Sequence, residues 1–176
     1  MLPLVKAELF LIERTGPGRL STMVRPRGGE WLRDEVDALR AAGSDVIVSL
    51  LTPSEAHELE LQSEAVVVTA AGMEFLNLPT PDRGTPNVSD FTNLLNALEA
   101  ALRAEKHVVV HCRMGIGRSS LVAAGLLMAE GVPQAAAWAA VARARGLDVP
   151  DTPEQRSWLG TVMAGAAAAG WSVWRR

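Results

Sequence analysis

Residues His111–Ser120 read His-Cys-Arg-Met-Gly-Ile-Gly-Arg-Ser-Ser and hold the only cysteine of the chain. Val108, Val109 and Val110 come before them, and the apolar stretch Leu121–Met128 follows. This pattern puts a nucleophile at a strand-to-helix turn, with an arginine six positions on. Gly115 and Gly117 allow backbone torsions that side chains resist. The amides of Arg113, Met114, Gly115, Ile116, Gly117 and Arg118 can then turn inward around an anion. The start of the following helix adds partial positive charge at the same point. The Arg118 guanidinium adds a permanent charge in a fork that matches two phosphate oxygens. The same field favours the Cys112 thiolate. Ser119 is placed to donate to that sulfur and ease its departure, and His111 to orient the loop through backbone hydrogen bonds. The predicted chemistry is the binding of a phosphate and attack upon it. A lone cysteine is more often a small buried hydrophobe, but that reading leaves the arginine, glycine and hydroxyl spacing unexplained.

Alternating strand and helix signals surround this loop. Glu8–Ile12 and Leu20–Val24 read as strands joined by the turn Thr15-Gly16-Pro17-Gly18. Trp31–Ala42 reads as a helix with Leu32, Val36 and Leu39 on one face and Gly43 at its end. Val46–Leu51 is a buried strand, stopped by Thr52-Pro53. Glu55–Ala71 reads as largely helical, although Val66-Val67-Val68 weakens the signal. Met73–Leu78 is a further strand. Ser89–Glu105 is a helix whose stripe is Phe91, Leu94, Leu95, Leu98 and Leu102. Strand His107–His111, the glycine loop, helix Arg118–Glu130 and helices over Pro133–Arg145 and Pro153–Ala169 complete the chain. The expected fold is a single α/β domain over residues 1–176, with a mostly parallel central sheet flanked by helices and an N-terminal hairpin. In such sheets ligands bind beyond the carboxyl ends of the strands, where Cys112 falls.

His-Cys-x5-Arg-Ser resembles the signature of the cysteine-dependent protein tyrosine phosphatases. From about Gly18 to Trp158 the chain is similar to their compact dual-specificity branch. In that branch an aspartate loop upstream of the cysteine supplies the general acid, and Pro81-Asp82-Arg83-Gly84-Thr85-Pro86 occupies the matching place. The low-molecular-weight phosphatases have the opposite order of signature and acid. The resemblance makes Asp82 the proton donor that a departing alkoxide or phenolate needs, although the same run is also a good turn sequence. Asp90, at a helix start, and Asp148 and Asp151, in a loop, are the other acids. Asp151-Thr152-Pro153-Glu154-Gln155 is explained by an N-cap at Thr152, Pro153 at the first helical position and a capping box closed by Gln155. Gln155 also resembles the glutamine that places water in many tyrosine phosphatases.

The resemblance implies a protein phosphatase working through phosphocysteine without metal or other cofactor, on a phosphorylated protein partner. Phosphoinositide and RNA 5′-phosphatases of the same superfamily are the rivals, as is a non-catalytic phosphate-binding module. Met114 and Ile116 are apolar where a polyphosphorylated headgroup favours bases. The binding module is disfavoured because Cys112, Arg118 and Asp82 are all present. Arsenate reduction by a disulfide relay needs a second cysteine, and a sulfur transferase needs no upstream aspartate. Arg25, Arg27 and Arg83 are candidates for a basic rim or for plain solvated surface. Glu55 is read as no more than a loop or helix-start residue.

With 17 basic and 20 acidic residues the net charge is −3, and no basic tract suggests nucleic-acid binding. A single cysteine excludes an internal disulfide and fits a reducing compartment. His57 and His107 have no partners at metal-ligand spacing. Lys6, Glu8, Glu13 and Arg14 interrupt any leader-like apolar run. Thr161–Trp174 is too short to span a bilayer. A cytoplasmic protein with no membrane partner is expected. Trp171 and Trp174 are expected to pack the last helix, with Arg175 and Arg176 in solvent.

Overall fold

The computed structural model describes residues 5–170; the expectations for Trp171, Trp174, Arg175 and Arg176 lie outside them. The strands are β1 (Phe10–Leu11), β2 (Arg19–Met23), β3 (Val46–Ser49), β4 (Glu74–Asn77) and β5 (His107–His111). They form one sheet in the order β1-β2-β5-β3-β4. β1 pairs antiparallel with β2, and every other pairing is parallel. The expected fold class and the N-terminal hairpin are both present. β1 is shorter than the predicted Glu8–Ile12, and Ala7 and Leu9, just before it, pack against the core on one face of the sheet.

The helices are α1 (Leu32–Ala41), α2 (Pro53–Glu58), α3 (Glu64–Ala70), α4 (Val88–Arg103), α5 (Arg118–Ala129), α6 (Gln134–Arg145) and α7 (Pro153–Ala168). β5 lies between β2 and β3 and is wholly buried. Its residues alternate between faces, as the pleat requires. Val108 and Val110 join the core made with α4–α7, and Val109 joins the core made with α1 and α3. A strand covered on both sides is apolar throughout, which is why this stretch is a run of valines. α5 is buried from Arg118 through Leu127. It is apolar around its circumference because it lies between the sheet and the other helices. The predicted stripe of α4 is buried in full.

One predicted helix is corrected. Glu55–Ala71 is two helices, α2 and α3, separated by a turn. Glu60 takes a left-handed φ of 56°, Glu60 N–H donates to His57 O, and Leu61 N–H reaches back to Ala56 O at 2.7 Å. This is the six-residue closure that ends helices, with Glu60 where a glycine is usual. Leu61 is thereby buried in the second core. The three valines do remain helical, because Val68 packs under the sheet, while Val66 is exposed. Tertiary packing overrides their modest helix propensity. Among the described residues no helix is long and apolar enough to cross a membrane.

Candidate active site

The loop from Cys112 to Gly117 leaves the carboxyl end of β5 and enters α5. Gly115 has a φ of +68°, and a Cβ there would lie 2.7 Å from the Met23 carbonyl oxygen at the end of β2. Only glycine meets both conditions. A Cβ at Gly117 would collide with the Asp151 carboxylate and the Gln155 amide, so this position is closed by its neighbours.

Cys112 is 3% exposed, and its Sγ lies 3.3 Å from Ser119 Oγ. Burial pushes the thiol up, but the side chain and amide of Ser119, the Arg118 charge and the Gly115 amide outweigh it, and the net shift is downward. These groups ease ionisation of the sulfur, and in the thiolate form the Ser119 hydroxyl is the donor to it.

Arg118 is buried at the first position of α5. Its NH1 and NH2 donate to the two Glu55 oxygens at 2.7 and 2.8 Å, and NH1 also donates to Thr80 O at 2.8 Å. NH2 also reaches Asp82 Oδ1 at 3.2 Å. Among the described residues none accepts from Nε. The Nε–NH2 edge is thus the one left for a ligand, with Asp82 across it. Glu55 is more than a helix-start residue, contrary to the expectation. It is the third residue of α2, and it accepts from Thr52 N while Thr52 Oγ1 accepts from Glu55 N, a complete capping box. Burial pushes its carboxyl up, yet the bonds to Arg118 and Thr52 and the Arg118 charge bring it down to about 2.

Asp82 lies at an exposed turn between β4 and α4, closed by Gly84 N–H donating to Pro81 O at 2.9 Å. The loop is tied at two points, by Arg118 at Thr80 O and by Gln155 Nε2 at Gly84 O, 3.0 Å. The predicted capping box of Thr152 and Gln155 is formed. With Oε1 accepting from Thr152 N and one Nε2 hydrogen on Gly84, a single amide hydrogen of Gln155 remains for water. Asp90 sits in the first turn of α4 as expected.

The rim differs from the floor. Arg113 is held by Glu58 at 2.9 and 3.4 Å, and Arg27 by Glu35, while Arg25 NH1 donates to Arg113 O at 3.1 Å. Arg83 is exposed. Met114 is 52% exposed, and Ile116 is partly buried against the α4–α7 core. Arg145, unremarked in the sequence, donates to Gly115 O and Met114 O at 3.0 and 3.1 Å. Its guanidinium also stacks on Phe10 at 4.4 Å. A basic residue in the last turn of a helix reads as a partner for that helix's dipole, which conceals this use. His111 is bonded through Nδ1 to Cys112 O, as its expected role requires, and through Nε2 to Glu64.

The comparisons with known proteins bear on the family and the fold. Rat cyclin-dependent kinase inhibitor 3 is 26% identical over 97 residues, covering 55% of this chain and 46% of the relative; the chain thus spans about half the length of that protein. The crystal structure of kinase associated phosphatase, with its catalytic-site cysteine substituted by serine, superposes with a TM-score of 0.86 at 19% identity, over 94% of this chain and 98% of that one. Tk-PTP in its active form gives a TM-score of 0.70 at 27% identity, over 88% and 96%. Residues 21–132 match the family described as polymorphic toxin system, DSP-PTPase phosphatase (Tc-R-P), and the chain belongs to that family of cysteine-dependent phosphatases.

Proposed function

We propose that the protein hydrolyses phosphate monoesters on proteins in two steps, with Cys112 as nucleophile, Arg118 and the loop amides as phosphate binders and Asp82 as general acid. A substrate phosphate takes the Nε–NH2 edge of Arg118 in place of the Asp82 carboxyl group, which enters the step as the neutral acid. The Cys112 thiolate attacks phosphorus in line. The P–O bond breaks with its electron pair on the departing oxygen, which Asp82 protonates. Arg118 and the amides of Arg113–Arg118 carry the charge on the equatorial oxygens. Asp82, now ionised, then takes a proton from water as it attacks the phosphocysteine. The S–P bond breaks to return the thiolate, assisted by the Ser119 hydroxyl.

The observation that carries the reading is the convergence on Arg118: Glu55 behind it, Asp82 across its free edge and the lowered Cys112 thiol within its field. The rim supports the choice of substrate class. Arg113 is engaged by Glu58, and Met114 offers an apolar surface at the mouth. That suits a single phosphate beside a peptide surface better than a headgroup with several phosphates, and the net charge of −3 does not favour RNA.

The test is hydrolysis of phosphotyrosyl, phosphoseryl and phosphothreonyl peptides, phosphoinositides and RNA 5′-ends, by the unaltered protein and by Asp82→Ala. Phosphopeptides are expected to be the best substrates. Asp82→Ala is expected to lose about 10²–10⁴-fold on alkyl esters and far less on activated aryl esters. A loss independent of the leaving group would move the acid elsewhere, with Asp151, beside Gly117, the next candidate. Preferential hydrolysis of phosphoinositides or RNA would overturn the substrate assignment alone.

A further inference from the structure

A buried acid–imidazole pair under the phosphate loop has no part in the steps above. His111, the last residue of β5, is 0% exposed, and Glu64, the first residue of α3, is 3% exposed. His111 Nε2 lies 2.7 Å from Glu64 Oε1, and Nδ1 lies 3.1 Å from the Cys112 carbonyl oxygen. A carbonyl only accepts, so Nδ1 must carry a hydrogen. The short Nε2–Oε1 contact then needs a second proton between ring and carboxyl, since two bare acceptors do not approach so closely. The tautomer that a histidine usually chooses freely is fixed here from both sides.

The surroundings supply no competing group. Met23 of β2 and Ser49 of β3 stand opposite His111 in the sheet register, and neither titrates. The ionisable groups acting on the ring are Glu64 and Cys112 itself. A groove of about 210 Å³ lies beside Glu64, and its lining, which includes Ser49, Gln62, Phe75 and Asn77, holds no other ionisable side chain. Burial pulls the imidazole down, but the Glu64 charge and bond and the Cys112 carbonyl outweigh it, and the net shift is upward.

We propose that Glu64 is a positioning residue that keeps a proton on His111 beneath the loop and, through that ring, holds Cys112 as a thiolate. This rests on the reading of Cys112 as the nucleophile. A ring bonded at both nitrogens cannot rotate, so it fixes the carbonyl of the first residue of the loop. A protonated donor on that carbonyl polarises the Cys112–Arg113 peptide, whose N–H is the first amide of the cradle. A positive ring one residue from the sulfur also favours the anion directly. Glu64 is thus placed to tune both halves of the site, phosphate binding and nucleophile ionisation, without touching either.

The experiment is the pH dependence of Cys112 alkylation by iodoacetamide, which needs no turnover. Glu64→Gln keeps the shape but removes the shared proton. Its alkylation is expected to be about tenfold slower than that of the unaltered protein near pH ~6 and within about twofold at the alkaline plateau. The acid limb of kcat/KM should move the same way, and Glu64→Asp should restore part of the shift. A folded Gln variant with an unchanged alkylation profile would overturn the proposal. A second measurement uses the unaltered protein: the ring nitrogens of His111, followed by ¹⁵N NMR, should show Nδ1 protonated throughout and no titration near the ordinary value of about 6.5. An ordinary titration would overturn the proposal even if the Gln variant does not fold. Low-pH alkylation that depends on Glu64, without hydrolysis of any phosphate ester, would support this proposal and defeat the phosphatase reading instead.

Discussion

Two arginine–glutamate pairs join the same loop to the same short helix, yet they do different work. Arg118 meets Glu55 and Arg113 meets Glu58, one turn further along α2, each through two hydrogen bonds. The inner pair is 2% and 11% exposed at the side chains, and the outer pair 32% and 61%. In the inner pair both charges have left water, so each depends on the other and on the Thr52 and Thr80 bonds around them. In the outer pair water and salt screen the attraction, and the side chains give up rotamer freedom to meet. Contacts of the same kind thus differ in consequence by their depth. In the proposed mechanism the inner one aims the guanidinium at a phosphate, whereas the outer one arranges the rim.

Replacing each glutamate separates the two. Glu55→Ala is expected to have the largest effect. It leaves a buried guanidinium without its main partner, costing about 3–5 kcal/mol in denaturant unfolding. The misaimed Arg118 should also lower kcat/KM by at least about a hundredfold. If Glu55→Ala were as stable and active as the unaltered protein, the two pairs would be equivalent and the comparison would fail. A pH series sharpens the same contrast. Glu55 is ionised in the native state down to about 2, against about 4.3 in an unfolded chain. Its contribution is therefore complete above the unfolded value and is lost as pH falls through that window. Unfolding free energy should drop in this range, and Glu55→Gln should flatten that part of the curve. The smallest effect is expected for Glu58→Ala. Activity on a singly phosphorylated peptide should stay within about twofold, and the melting temperature within about a degree. Activity on substrates with additional phosphates should rise, since Arg113 is released and a carboxylate is removed from the mouth.

These depths also decide how much the sequence discloses. The cradle was legible because its parts are contiguous: Cys112, Gly115, Gly117, Arg118 and Ser119 form one run, and the strand and helix beside them have clear periodicities. Asp82 drew notice through its punctuated loop and the phosphatase resemblance, and the structure sets it 3.2 Å from Arg118. Glu55, Glu64 and Arg145 were not, since each sits in another element and reaches the site only through the fold. Glu55 looks like an ordinary acid of a helix start, Glu64 like an ordinary acid inside the predicted Glu55–Ala71 helix, and Arg145 like an ordinary basic helix end. The break between α2 and α3 was hidden for a related reason. Its turn uses Glu60 in the left-handed region rather than a glycine or proline, so no local residue marks it. Gln155 falls between these cases: its cap is local and was visible, while its bond to Gly84 is long-range and was not.

In the proposed mechanism Cys112 carries the phosphoryl group during turnover. Rapid acid quenching of the protein with an aryl phosphate, followed by peptide mapping, tests it directly. The expected result is a phosphorylated peptide containing Cys112, formed at least as fast as kcat and absent from Cys112→Ser, which should still bind phosphate but not turn over. Steady turnover by the Cys112→Ser protein, or an intermediate mapped to any other residue, would contradict it.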